Sequence, residues 1–230
     1  MNNFVIYNKS SKTMSEIGDA SMNLIMTSPP YGIGTTYGNS STDDQSFVEY
    51  CKLMTGVIGE CFRVLKGDGT LIIEVADTIM REGRFIQLAG LLQSIALKTG
   101  FHLWQRHINF VNSDNGVELS EESTEEYFSK KNAHSNCHQW LVFSKESKPF
   151  AGGDIFYFNY LPSEEHPCPT PDAICQKVLD LYFQPRFAVL DPFMGIASIG
   201  KEVLIRGGIF SGYELDPAIY TSAKKRLESV

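Results

Sequence analysis

Short apolar runs alternate along this chain with segments whose apolar positions recur at the helical period. Phe4-Val5-Ile6-Tyr7 and Leu24-Ile25-Met26 read as strands, with a short helix or turn over Ser10 to Ile17 between them. Phe47, Tyr50, Cys51, Met54, Val57, Ile58, Cys61 and Phe62 follow a helical spacing, and Asp43 or Asp44 stands where a cap is needed. Gly67-Asp68-Gly69 turns the chain into Thr70-Leu71-Ile72-Ile73-Glu74-Val75, a buried strand. Phe85 to Leu97 reads as a helix closed by Gly100. Phe101 to Val111 and Trp140 to Phe143 read as two strands able to pair as a hairpin. Helix Pro169–Tyr182, strand Phe187–Leu190, helix Ile199–Arg206, strand Ile209–Tyr213 and helix Pro217–Leu227 complete the pattern. Strands and helices alternating at these lengths predict one α/β domain over residues 1–230, a mostly parallel sheet with an antiparallel edge hairpin.

Composition narrows the class. Hydrophobic residues make up 43% of the 230, enough for a substantial core. With 20 Lys and Arg against 27 Asp and Glu, the net charge is −7, which argues against bulk electrostatic coating of nucleic acid. It leaves room for a local basic groove. No apolar run approaches membrane-spanning length, and the N-terminus lacks the features of a secretory signal, so a cytoplasmic protein is expected. Cys51, Cys61, Cys137, Cys168 and Cys175 show no paired spacing, and no metal site is expected from them or from His134, Cys137 and His138.

Two motifs stand at strand ends, where ligands of such sheets bind. Ser28-Pro29-Pro30-Tyr31 follows the second strand. Proline fixes φ and removes a donor, so this turn makes a rigid pocket with outward carbonyls and a ring. Such a pocket can accept hydrogen bonds from an amino group and stack a flat ring. Gly32 to Ser41, rich in glycine and small polar residues, reads as a mobile loop able to close over it. The second motif, Val189-Leu190-Asp191-Pro192-Phe193-Met194-Gly195-Ile196-Ala197-Ser198, runs from strand through turn to helix, and the next strand ends at Glu214. That is nucleotide-site spacing, with the acidic residue placed for ribose hydroxyls. Asp191 in the turn is a poor host for phosphate and a good one for an ammonium or sulfonium cation. The turn therefore points to S-adenosylmethionine rather than NAD.

Thr27-Ser28-Pro29-Pro30-Tyr31, His166-Pro167-Cys168-Pro169-Thr170-Pro171 and Asp191-Pro192-Phe193-Met194-Gly195, in that order, resemble the permuted β-class of DNA amino-methyltransferases. The resemblance runs from Phe4 to Leu227. It implies a Rossmann-like, S-adenosylmethionine-dependent methyltransferase fold with circularly permuted motifs. It implies a catalytic pocket at Ser28, Pro29, Pro30 and Tyr31. It implies cofactor contacts at His166, Thr170, Asp191, Pro192, Phe193, Gly195, Ala197, Ser198 and Glu214. The expected reaction is methyl transfer to an exocyclic amino group of DNA, as in restriction-modification, on a base taken out of its stack. Serine at the first pocket position is more typical in the family of cytosine N4; adenine N6 is the alternative. RNA is the alternative substrate, motivated by the negative charge and by the short acidic insertion at 112–138, in the target-recognition position. A cofactor-binding regulator without catalysis is a third reading. So small a reading region predicts help from a second protomer, as a homodimer, or from a partner. The expected location is the cytoplasm, nucleoid-associated in a prokaryote.

Overall fold

In a computed structural model of the chain, residues 3–37, 41–111, 132–135, 137–149, 152–153, 155–158 and 170–230 are described. Their centre is an eight-stranded sheet. Five strands run parallel: β1 (Phe4–Tyr7), β13 (Ile209–Tyr213), β12 (Ala188–Asp191), β2 (Met22–Thr27) and β5 (Leu65–Ala76), in that spatial order. The expected antiparallel pair follows, β10 (Cys137–Ser144) lying between β5 and β8 (His102–Val111). One more strand, β11 (Ile155–Phe158), adds parallel to β8 at that edge.

Each side of the sheet is apolar, and each is covered by helices. On one side α1 (Phe47–Val64) and α2 (Leu88–Thr99) pack on Ile25, Leu71, Ile73, Val75 and Leu141. On the other, α3 (Asp172–Tyr182), α4 (Ser198–Ile205) and α5 (Pro217–Glu228) pack on Leu24, Met26, Ile72, Trp140, Val142 and Val189. Asp172 joins those three helices, accepting from Lys201 Nζ and from Arg226 Nη2, each at 2.7 Å.

Several boundaries differ from the sequence reading. The cap of α1 is Ser46, in a reciprocal capping box with Glu49. Asp43 is committed elsewhere: buried, it accepts from Gly32 N at 2.9 Å and Thr35 N at 2.5 Å. The segment read as a mobile loop is therefore clamped at its start, and carries β3 (Thr36–Tyr37) paired with β4 (Ser41–Thr42). Of the two forms expected over residues 10–17, helix or turn, the chain takes turns. Phe85 lies in a hairpin, not in α2. The strands β6 (Ile79–Arg81) and β7 (Arg84–Ile86) pair across a two-residue turn, and β9 (Asn132–His134) pairs with β6. Of the 112–138 insertion, residues 112–131 and 136 lie outside the described residues, whereas 132–134 are β9 and 137–138 open β10.

Candidate active site

The sheet reverses its winding between β12 and β2. From β12 the chain leaves through α4 to β13 on one side; from β2 it leaves through α1 to β5 on the other. The crevice between two diverging connections at the carboxyl ends is where an open α/β sheet takes its ligand. Both sequence motifs meet there. Thr27 Oγ1 donates to Asp191 Oδ1 at 2.7 Å, and Phe193 N donates to the same oxygen at 3.0 Å.

One half of the crevice is built by the β12–α4 turn. Met194 N donates to Tyr213 O at 2.9 Å, holding the turn against the end of β13. A Cβ on Gly212 would stand 2.5 Å from Met194 Sδ, so glycine here leaves the space into which the Met194 side chain packs. Gly195 and Ala197 both have positive φ, 51° and 60°. Ala197 occupies the α4 cap position, buried, in a conformation that suits glycine. Pro192 and Ser198 are buried and Phe193 half-buried, packed on the α1–α2 side. Burial pushes the Asp191 carboxyl up to about 7, against the lowering effect of its two donors. Glu214, two residues past the partner of Asp191 on β13, is also raised by burial, and its charge pushes Asp191 further. Two neighbouring carboxylates, both held above their ordinary range, suit a cationic, hydroxyl-bearing ligand. Glu214 Oε1 accepts from Asp216 N at 2.7 Å, which orients its side chain. Thr170 lies one residue ahead of the Pro171 cap of α3, a helix that packs on α4. His166 lies outside the described residues.

The other half follows β2, where Ser28 and Tyr31 meet two residues that the sequence reading did not assign. Ser28 Oγ donates to Glu74 Oε2 at 2.6 Å. The other oxygen, Glu74 Oε1, pairs with His138 Nδ1, and Tyr31 OH lies 3.3 Å from that nitrogen. The Tyr31 ring meets the imidazole edge-on, centroids 5.9 Å apart, and packs on the α1–α2 core. Glu74 is 1% exposed and His138 4%. Pro29 is buried and Pro30 half-buried. Register explains the meeting. Thr27 pairs with Ile73, which places Ser28 beside Glu74, and Trp140, two residues after His138, is the partner of Glu74 on β10. An acid inside the apolar run Leu71–Val75 was the available signal for Glu74. His138 had none, because only the β5–β10 register brings it to the site. Among the described residues no three His, Cys, Asp or Glu side chains gather to hold a metal.

Comparison with known proteins bears on this arrangement. The sequence profile of the DNA methylase family, the N6/N4 group, matches residues 22–225. The chain belongs to that family. Among its DNA methylase relatives, the type II methyltransferase M.BglII of Bacillus subtilis is 25% identical over 240 residues, covering 92% of this chain. This chain spans only 65% of that relative's length. M.HpaI of Haemophilus parainfluenzae is 23% identical over 260 residues, covering all of this chain and 75% of its own. Solved structures share the fold, among them the following two. TTHA0409 of Thermus thermophilus, a putative DNA modification methylase complexed with S-adenosyl-L-methionine, superposes with TM-score 0.70 at 20% identity, over 97% of this chain and 93% of its own. The cytosine-N4-specific PvuII DNA methyltransferase gives 0.72 at 17% identity, over 97% and 86%. The mostly parallel sheet expected from the sequence is the fold of these DNA methylase structures. No helix among the described residues of this DNA methylase is long and apolar enough to cross a membrane.

Proposed function

We propose that this DNA methylase transfers a methyl group from S-adenosylmethionine to the N4 amino group of cytosine in DNA. The observation that carries the reading is the Ser28–Glu74 hydrogen bond at 2.6 Å, one strand away from the Thr27–Asp191 bond that marks the cofactor turn. Asp191, Phe193, Gly195, Ala197, Ser198 and Glu214 would hold the cofactor, with Thr170 and His166 toward its methionine end. When bound, it supplies a methyl group on a cationic sulfur, an electrophile that needs alignment more than activation.

The chain's own task is to make a poor nucleophile competent. A base amino group has its lone pair delocalised into the ring. Ser28 Oγ donates its hydrogen bond to Glu74 Oε2, so the lone pairs of Oγ remain to accept an amino N–H. The carbonyl of Pro29 would accept the second. Both bonds favour a tetrahedral nitrogen, whose lone pair then faces the methyl group. As the new N–C bond forms, the amino nitrogen loses a proton to Ser28 Oγ, and the serine proton passes to Glu74 Oε2. S-adenosylmethionine held there would supply the methyl group and keep the C–S bonding pair as a neutral thioether. His138 holds the other side of the Glu74 carboxylate, and Tyr31 OH stands 3.3 Å from the same His138 nitrogen. Tyr31 takes the extruded base against its ring. Serine at the head of the pocket and the likeness to a cytosine-N4-specific enzyme favour cytosine over adenine.

A short reading region supports completion of the DNA surface by a second protomer or a partner; a monomeric mass that DNA leaves unchanged would contradict the dimer. The reaction is tested by nucleoside mass spectrometry of DNA incubated with the protein and labelled cofactor. Label in N4-methyldeoxycytidine supports the reading. Label in N6-methyldeoxyadenosine moves the assignment to adenine, and label in RNA alone overturns the substrate.

A further inference from the structure

The helix layer over the α3 side of the sheet carries a polar groove that the proposed reaction does not use. Lys201, Ser222, Lys225, Arg226 and Ser229 line it, and it encloses about 620 Å³. The helical period gathers them. Ser222, Lys225, Arg226 and Ser229 recur three and four residues apart, so they share one stripe of α5 and its end, while Ile219, Ala223 and Leu227 take the buried stripe. Lys201 meets them from the first turn of α4.

Two of the three cations are held in place. Lys201 Nζ donates to Asp172 Oδ2 and Arg226 Nη2 to Asp172 Oδ1, each at 2.7 Å. Their side chains remain 32% and 25% exposed, so both can still be reached from solvent. One carboxylate shared by two cations leaves one positive charge over. Lys225 adds another: it is exposed and forms no hydrogen bond or ion pair among the described residues. The single acid within α5, Glu228, stands with Lys224 at 3.9 Å. The Ser222 hydroxyl makes no bond among the described residues, and Ser229 Oγ donates to Arg226 O at 2.7 Å. Lys225 and Arg226 suit the last turn of a helix on their own account. That explains neither Lys201 nor the unbonded Ser222. On a chain of net charge −7, the groove is a local reversal of sign.

We infer that this groove takes the phosphodiester backbone of the DNA substrate, with Lys225 and Arg226 on phosphate oxygens and Ser222 donating beside them. This rests on the proposed action on DNA. The occupant follows from complementarity. Every lining side chain is polar, so a peptide would bury no apolar surface there. A phosphodiester chain offers repeated anionic acceptors, which ammonium, guanidinium and hydroxyl donors all match. It follows also from place. Lys201 lies one turn of α4, about 5 Å along its axis, beyond the Asp191 turn. Asp172, which holds two of the cations, is two residues past Thr170. The groove therefore adjoins the crevice end of the helix layer, where a duplex laid across the carboxyl ends of the strands brings its backbone.

The test compares wild type with Lys225→Gln, the charge-keeping Lys225→Arg, and Lys52→Gln, which makes the same charge change at an exposed position of α1 across the sheet. Anisotropy of a fluorescently labelled mixed-sequence duplex gives affinity over a range of salt concentrations. Thermal melting and cofactor calorimetry accompany it. Lys225→Gln is expected to weaken duplex binding about three- to tenfold near 0.1 M salt, and to flatten the slope of log affinity against log salt by about 0.9. Lys225→Arg and Lys52→Gln should keep the wild-type slope, and melting and cofactor affinity should not move. A wild-type slope in Lys225→Gln overturns the inference. So does an equal loss in Lys52→Gln, since net charge alone would then account for it. Dissociation of a dimer by Lys225→Gln overturns it too, because the groove would then hold an acidic surface of a second copy. Anisotropy needs no turnover. A wild type that binds duplex through Lys225 but yields no labelled nucleoside leaves the groove standing and sinks the proposed reaction.

Discussion

Glu74 carries the proton step of the proposed reaction, and Glu74→Gln is the substitution that isolates it. Glutamine keeps the shape but not the charge. In the native site both carboxylate oxygens are used, Oε2 by Ser28 and Oε1 by His138. The Ser28 contact, at 2.6 Å, lies in the range of an O–H bond to an ionised acceptor. Glutamine offers one acceptor oxygen and one donor amide, so it can receive from Ser28 or from His138 but not from both. More importantly, it cannot take the proton that Ser28 passes on. Loss of a positioned proton acceptor costs about 10²–10⁴ in rate, roughly 3–5 kcal/mol of barrier. Expected, then, is a kcat lower by that factor, with cofactor affinity changed by less than about threefold, since Glu74 takes no part in the hydrogen bonds that shape the Asp191 turn. Glu74→Asp keeps the charge but withdraws it by about one bond length, and should fall between. The assay is single-turnover methyl transfer to genomic DNA, with melting curves and cofactor calorimetry run in parallel. A folded, cofactor-binding Glu74→Gln protein with kcat within about threefold of wild type would refute the proton path.

Three further outcomes follow from the geometry. Ala197 sits at φ 60°, so Ala197→Gly should raise stability by about 0.5–1 kcal/mol, the left-handed penalty less the added chain entropy; a lower melting temperature would contradict the strain. Asp191 is held at about 7 when folded, above its ordinary value of 3.8. Between those values the folded protein keeps a proton that the unfolded chain releases, so this residue's contribution to stability falls as pH rises through the window and is flat above it. Asp191→Asn should therefore gain on wild type by roughly 2–4 kcal/mol between about pH 5 and 8 without cofactor, as read from denaturant melts; parallel curves would refute it. Asp43→Ala removes both clamps on the loop after Tyr31; hydrogen exchange at Gly32 and Thr35 should rise sharply, and methyl transfer should drop about tenfold, given two charge-assisted bonds of roughly 1.5–3 kcal/mol each.

How much of this was legible in the chain varies with the range of the interaction. Strand runs such as Leu24–Met26 and Leu71–Val75 were readable because burial on both faces leaves a continuous apolar signature. The two motifs proposed as the site stood out because proline, glycine and a carboxylate at a strand end have local conformational and electrostatic consequences. The α1 cap was readable too, as Ser46 followed by Glu49, yet Asp43 drew the assignment, since nothing local says its carboxylate is taken by Gly32 and Thr35. The β6–β7 hairpin was hidden because its turn uses Glu82 at positive φ, a residue without turn preference. Phe85 then joined the helical period of α2. Glu74 and His138 are two strands' contributions to one cluster, and pairing register between β5 and β10 is written in no short window.

The central claim is that the Ser28–Glu74 pocket and the Asp191 turn form one active site for amino methylation of cytosine. The most direct measurement is to incubate unmethylated genomic DNA with this protein and S-adenosylmethionine labelled in its methyl group, then digest the DNA and weigh the nucleosides. Wild type is expected to yield labelled N4-methyldeoxycytidine, and Glu74→Gln at most about a hundredth as much. Cofactor binding without any labelled nucleoside, or equal label from both proteins, would contradict it.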